Sequence, residues 1–299
     1  MRRGVLIRMA KRRFSVPVPG ASAIVLAVAS VVGMAGFLYP FFLPALDQAT
    51  DETRAQASIA PLLFAAVTGV CLVAMMVTIS DEHGGIARSR TVALLGVLVA
   101  LDATLRLVPG VLGASPIFLL IMLVGAVFGA SMGFQMGALT LLFSAFLTGG
   151  LGPWLPFQML VSGWIGLTAG WLPRDSHPGR RIVTLALFGA LWGLLFGALM
   201  NLWFWPFSAP GAGVDTGLYW SPGMDAAETI RRYARFYLVT SLGYDLLRAV
   251  GNVVLVVLLA GPVLRLLERY RARFTWTPWT PLPPPEPESI TTPNEPSRP

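Results

Sequence analysis

The sequence predicts an all-α membrane protein with about eight transmembrane helices. Hydrophobic residues make up 55% of the 299 positions and charged residues only 12%, a balance typical of integral membrane proteins rather than soluble domains. Long apolar stretches recur along the chain, and most approach the length that a helix needs to cross a bilayer. The net charge of +7 comes mostly from basic residues at the ends of these stretches. It therefore indicates membrane orientation and not nucleic-acid binding.

A window of about 20 residues identifies eight apolar segments. They cover residues 21–44, 59–80, 90–107, 116–130, 133–147, 155–171, 182–204 and 236–267. The apolar run of the first segment exceeds the length usual in a signal peptide, so we expect a membrane anchor. The fourth and fifth segments are short and almost adjoin, which leaves a kinked element or a re-entrant hairpin as alternatives to two full spans.

Basic residues predict which side each end of the chain occupies. Residues 1–20 contain six basic and no acidic residues, and basic residues recur at Arg88, at Arg180 and at Arg269. The positive-inside rule then places both termini in the cytoplasm, with the protein in the cell membrane. Residues 1–20 form a basic tail, residues 21–85 hold the first two apolar segments, residues 86–270 hold the other six, and residues 271–299 form a second tail. Prolines crowd the last region, which predicts a disordered cytoplasmic extension.

Enzymatic motifs are weak. Residues 129–133 match G-x-S-x-G around Ser131, but the two histidines, His83 and His177, lie in predicted cytoplasmic loops. A serine nucleophile needs a base within reach, so a tight turn between two helices explains these glycines better. The histidines and the lone Cys71 do not predict a metal centre. No phosphate-binding loop occurs, so we expect no ATP site in this chain and no cofactor.

Small residues recur at four-residue spacing on two predicted helices. The first set is Gly189, Gly193 and Gly197, followed by Asn201; the second set is the pair Gly96 and Ala100. Such a pattern allows two helices to approach closely. For the first set we favour packing within the bundle. For Gly96 and Ala100, a surface that binds another protein is a serious alternative to such packing.

Charged residues inside apolar segments are the strongest functional signal. Asp102 and Arg106 are four positions apart, and Asp245 and Arg248 are three apart, so each pair can meet on one helical face. Ionisable groups at this depth usually face a cavity or each other. Structural ion pairs are the alternative to a binding role.

A binding site is predicted in the outer half of the membrane. In the predicted topology the charge pairs lie there together with Gln158, Asn201, Trp154 and Trp203. Residues 149–156 form an aromatic turn before Gln158, which suggests a loop that closes over a ligand. A one-sided collection of polar and aromatic groups suits a receptor that captures a solute from outside.

Several stretches of residues 88–267 carry a family resemblance: Gly96–Ala100 with Arg106, residues 152–159 and 163–170, Asn201-Leu-Trp-Phe-Trp-Pro, and residues 241–248, which include Tyr244. The resemblance is to the substrate-binding S components of energy-coupling factor (ECF) vitamin transporters. It implies six helices, no enzymatic activity, and capture of a vitamin from outside. It also implies docking, through Gly96 and Ala100, on a transmembrane coupling subunit that carries two ATPases.

The ligand that the resemblance favours is cobalamin, because the Trp-Pro pattern is most like that branch of the family. The substrate-binding candidates are Asp102, Arg106, Trp154, Gln158, Asn201, Trp203, Tyr244, Asp245 and Arg248. The two N-terminal helices are additional to the family plan. Two other classes remain open: a self-sufficient secondary transporter, which needs midplane polar residues, and a membrane enzyme that acts on lipid.

Overall fold

The computed structural model is all-helical over the residues that it describes, and it confirms the predicted fold class. The described residues are 21–38, 65–66, 69, 73, 85–108, 115–173, 177–207, 217–221 and 224–274. Eight α-helices lie within them: α1 (Ala21–Leu38), α2 (Gly85–Leu105), α3 (Ile117–Phe128), α4 (Ala130–Thr148), α5 (Leu155–Ala169), α6 (Pro178–Phe204), α7 (Ala226–Thr240) and α8 (Leu242–Phe274). A single 3₁₀ turn, Trp205–Phe207, follows α6.

Apolar length matches the membrane prediction. Three described helices are long and apolar enough to cross a bilayer, Ala130–Thr148, Pro178–Phe204 and Leu242–Ala272, and three shorter apolar helices accompany them. The basic tail, residues 275–299, most of the predicted second span, Cys71 and His83 lie outside the described residues. Residues 271–274 of the predicted C-terminal tail belong to α8. The number of spans and the sidedness of the termini stay predictions.

A single glycine separates α3 from α4. Gly129 has a φ of 105°, a conformation that residues with a Cβ rarely adopt, and it lets the two helices fold back on each other. A Cβ on Gly133 would lie 2.7 Å from the Cα of Gly125 and would also meet the carbonyl of Gly166 on α5. The glycines of G-x-S-x-G thus form a turn and allow close backbone contact. This agrees with the prediction of a tight turn in place of a serine nucleophile.

The last predicted span differs from the structure in its boundaries. The sequence predicts one segment over 236–267, but the helix breaks at Ser241 and α8 runs on to Phe274. Phe236 belongs to α7, whose N-cap is Asp225; the Asp225 carboxylate accepts the Glu228 backbone N–H at 2.7 Å. This N-cap starts a separate amphipathic helix. The apolar run at the end of that helix, residues 236–239, lies just before α8 and therefore looked like the beginning of the span.

Two helix pairs dominate the packing: α4 with α5, and α6 with α8. α3 also packs on α4, on α5 and on α8, so it lies at the centre of the bundle. Nearly all its residues are buried. α1, which precedes the predicted six-helix core, packs against α6, α5 and α4.

Candidate functional site

Arg106 is the centre of a polar cluster between α2, α4 and α5. Its guanidinium donates to the hydroxyl of Ser144 at 2.8 Å and to the side-chain oxygen of Gln158 at 3.2 Å. One turn earlier on α2, Asp102 is fully buried and accepts a hydrogen bond from Thr140 at 3.1 Å. We call these five residues the Arg106 cluster: Asp102, Arg106, Thr140, Ser144 and Gln158.

Asp102 and Arg106, whose spacing allows them to meet on one helical face, do not form the ion pair that was the alternative to a binding role. Both residues are described, and they contact α4 instead of each other. Thr140 and Ser144 are themselves four apart, so α4 presents one hydroxyl to each charged residue. The guanidinium is therefore held by two neutral groups, and no carboxylate among the described residues neutralises it.

An aromatic stack adjoins the Arg106 cluster. Phe157 precedes Gln158 on α5, and its ring stacks on Trp203 of α6, with centroids 5.1 Å apart and planes 13° apart. Trp203 is almost completely buried. The stack places flat apolar surface beside the hydrogen-bonding groups, and both parts lie where α5 begins and α6 ends.

Trp154 packs on its own loop. The turn starts at Gly149, which ends α4 in the left-handed conformation with φ 66°, and Pro156 stands in the first turn of α5. The indole N–H of Trp154 donates to the carbonyl of Gly150 at 3.3 Å, and the ring covers Gly152. Trp154 remains 41% exposed, so the aromatic turn presents this side chain at the surface.

A second polar group lies between α6 and α8 and forms a helix–helix seam. Gly189, Gly193 and Gly197 of α6 face this seam, and the residues of α8 that meet them are Asp245, Ala249 and Asn252. A Cβ on Gly193 would lie 2.5 Å from the Cα of Ala249. The predicted close packing of this glycine stripe within the bundle is confirmed.

The α6–α8 seam holds three more of the predicted site residues. Asp245 forms an ion pair with Arg248, as predicted, and its carboxylate fills the space over Gly197. Arg248 also donates to the Gly193 carbonyl at 3.3 Å. Asn201 donates to the hydroxyl of Ser241 at 2.6 Å. The contacts of these side chains hold α6 against α8. They therefore fit a structural role, which the sequence analysis gave as the alternative to a binding role.

Tyr244 lies apart from both groups. It stands on α8 one residue before Asp245, yet it is 59% exposed. Neighbouring helix positions point about 100° apart, so the rotation that buries Asp245 turns Tyr244 outward. The predicted nine residues thus separate into the Arg106 cluster with Trp203, the α6–α8 seam, and two exposed aromatic side chains.

An apolar groove of about 710 Å³ lies between α2 and α4. Gly96 and Ala100 line it from α2, and both are exposed. A Cβ on Gly96 would meet no described atom within 4 Å. The pair therefore does not pack inside the described bundle, and we call this surface the α2–α4 groove.

Sequence reasoning missed Thr140, Ser144 and Phe157. The available signal was the four-residue spacing of two hydroxyl residues on an otherwise apolar helix, opposite a helix with two charged residues at the same spacing. Phe157 was hidden among many apolar neighbours, and only the tertiary structure shows that it stacks on Trp203.

The comparison with protein families decides the identity of the chain. The family described as ECF transporter, substrate-specific component, matches residues 90–260. The chain belongs to this family. No curated protein and no solved structure matches it. The family consists of membrane transporter components and not of enzymes, and it implies a substrate together with ECF coupling and ATPase partners.

The family match covers most of the S component and both polar groups. It begins inside α2 and ends within α8, so the Arg106 cluster, the α6–α8 seam and the α2–α4 groove all lie within it. α1 lies wholly outside the match.

Proposed function

We propose that this S component binds a vitamin, with cobalamin favoured, at the Arg106 cluster and the Phe157–Trp203 stack. The observation that carries the proposal is the environment of Arg106. A cation within an apolar bundle is usually paired with an anion or faces a cavity. Here a hydroxyl and an amide hold the guanidinium, so its charge is available to a ligand.

The chemistry of cobalamin fits such a site. The vitamin has a phosphodiester and several peripheral amides, and the planar donors of a guanidinium bind phosphate and carbonyl oxygens well. Gln158 adds an amide that can donate as well as accept. The neighbouring Phe157–Trp203 stack offers apolar surface to the faces and edges of a corrin ring.

The direction of capture follows from the distribution of basic residues. Both termini are cytoplasmic in this proposal, and the end of the bundle with Arg106 and Trp203 faces the outside. The vitamin would enter the site from that side.

The proposed partners are a transmembrane coupling subunit and two ATPase subunits. We place the coupling subunit on the α2–α4 groove, because Gly96 and Ala100 leave the backbone of α2 open to another helix. ATP hydrolysis would take place on the ATPases, so this chain needs no nucleotide site.

The proposal is tested by titrating the purified protein with cobalamin and then with other vitamins. Arg106→Gln should weaken binding about 10- to 150-fold, because it removes a charged hydrogen-bond donor. Arg90→Gln is the matched control, since Arg90 lies on α2, which Arg106 directly follows, and is exposed. It should bind with parental affinity.

Three outcomes separate the parts of the proposal. If Arg106→Gln binds as tightly as the parent, the site is elsewhere. If the parent binds another vitamin and Arg106→Gln weakens it, only the choice of cobalamin is wrong. If the folded parent binds no vitamin, the vitamin proposal fails.

A further inference from the structure

α1 lies outside the family match, yet its contacts attach it to the substrate-binding helices. Its inward residues, Leu26, Ala29 and Phe37, are buried. Val31, on another face, is 70% exposed. An apolar helix that buries one face against other helices and exposes another face is packed as part of the bundle.

A hydrogen bond and a close approach at a glycine help to hold α1 against α5. The indole N–H of Trp164 donates to the hydroxyl of Ser30 at 2.9 Å, which ties a polar group of each helix inside the bundle. One turn later a Cβ on Gly33 would overlap the side chain of Leu160. Glycine at this position lets α1 approach α5 closely, so the last turn of α1 reaches the aromatic stack.

Phe37 is the residue of α1 that touches this stack. Its side chain is 0% exposed, and its ring lies 4.8 Å from that of Phe157 in an edge-to-face arrangement. Phe157 in turn stacks on Trp203. The three rings form a continuous row from α1 through α5 to α6, beside Gln158.

We infer that α1 is a working part of the substrate-binding unit and that Phe37 is a positioning residue, which holds Phe157 and Trp203 in place. One consequence of the inference rests on the proposed function: loss of the Phe37 ring should weaken vitamin binding. Packed rings have few alternative orientations, so the edge-to-face contact with Phe37 limits how the Phe157 ring can turn. It thereby holds the ring in the orientation that stacks on Trp203.

The experiment uses the full chain with Phe37→Leu, which keeps an apolar side chain and removes the ring. Phe37 also lies 6.0 Å from the ring of Trp164, so near-ultraviolet circular dichroism without ligand is measured in a Trp164→Phe background. There Phe37→Leu should produce part of the spectral difference that Trp203→Leu produces. Vitamin affinity should fall by about tenfold, as for loss of an aromatic contact. Val31→Leu, on the exposed face of the same helix, should change neither quantity. Phe37→Met serves if Phe37→Leu does not fold.

The two measurements separate this inference from the proposed function. If the parent binds no vitamin but Phe37→Leu alters the Trp203 signal, the proposed function fails and the positioning role stands. Parental affinity in Phe37→Leu overturns the inference. Weaker binding with an unchanged Trp203 signal also overturns it, because Phe37 would then act without moving the stack.

Discussion

Two sets of small residues at the same spacing have opposite environments in this protein. Gly189, Gly193 and Gly197 of α6 are covered by α8, whereas Gly96 and Ala100 of α2 face the open α2–α4 groove. The difference lies in the neighbouring helix. α8 offers short groups such as Ala249 and Asp245, while α4 offers bulky ones such as Phe143. Small residues permit close approach of two helices. Whether a helix of the same chain packs against them depends on the size of the side chains on that facing helix.

The largest effect on stability should come from breaking the ion pair in the α6–α8 seam. Arg248→Met leaves the buried Asp245 without its partner, and we expect a loss of about 3–5 kcal/mol in the free energy of unfolding. Denaturant unfolding in detergent micelles measures it. The double variant Asp245→Asn, Arg248→Met should recover at least half of the loss. Parental stability of the single variant would exclude a structural role for the pair.

Filling the α6–α8 seam should be nearly as damaging. Gly193→Leu would push a side chain into the backbone of α8 at Ala249, and overpacking of this kind should destabilise by about 3 kcal/mol. Thermal unfolding measures it. A variant that melts with the parent would show that α6 and α8 can separate, and the contrast with the α2–α4 groove would disappear.

A smaller change tests whether Asn201 belongs to the seam or to the binding site. Asn201→Ala removes the hydrogen bond to Ser241 and should reduce stability by about 1 kcal/mol. Vitamin affinity should stay the same, because the amide is engaged between helices. A large loss of affinity at unchanged stability would instead return Asn201 to the site that the sequence predicts.

The smallest effect on stability is expected in the α2–α4 groove. A Cβ on Gly96 would meet no described atom within 4 Å, and the groove has room for the rest of a leucine side chain. The free energy of unfolding of Gly96→Leu should therefore change by less than about 0.5 kcal/mol, and vitamin binding should persist. Uptake by cells that contain the coupling subunit and ATPases should be lost. Val97→Leu, exposed on the same helix, should support normal uptake. Normal uptake by Gly96→Leu would remove the groove from the docking proposal.

The sequence predicted the membrane fold and the segments of the core well, because hydrophobic length and glycine spacing are properties of one helix. It correctly predicted a turn at Gly129 and the internal packing of the Gly193 stripe. The ion pair of Asp245 with Arg248 was also accessible, since both residues lie on one helix.

Contacts between helices could not be predicted in the same way. Asp102 and Arg106 looked like partners because their spacing on α2 allows it, but Thr140 and Ser144 on α4 compete for them. The orientation of α8 about its own axis leaves Tyr244 exposed. That orientation depends on the packing of the Asp245 carboxylate against Gly197 of α6. Likewise, nothing in the sequence of α1 indicates that Phe37 meets Phe157.

The shortness of α3 has a consequence for the surrounding lipid. Its 12 residues rise about 18 Å, well below the ~30 Å of a hydrocarbon core, whereas α8, with 33 residues, extends about 50 Å. A lipid-exposed helix as short as α3 would thin the bilayer around it. Because protein covers α3 on nearly all sides, we expect lipid to contact longer described helices such as α6 and α8 in its place. A change in bilayer thickness should therefore act on α6 and α8 before it affects α3.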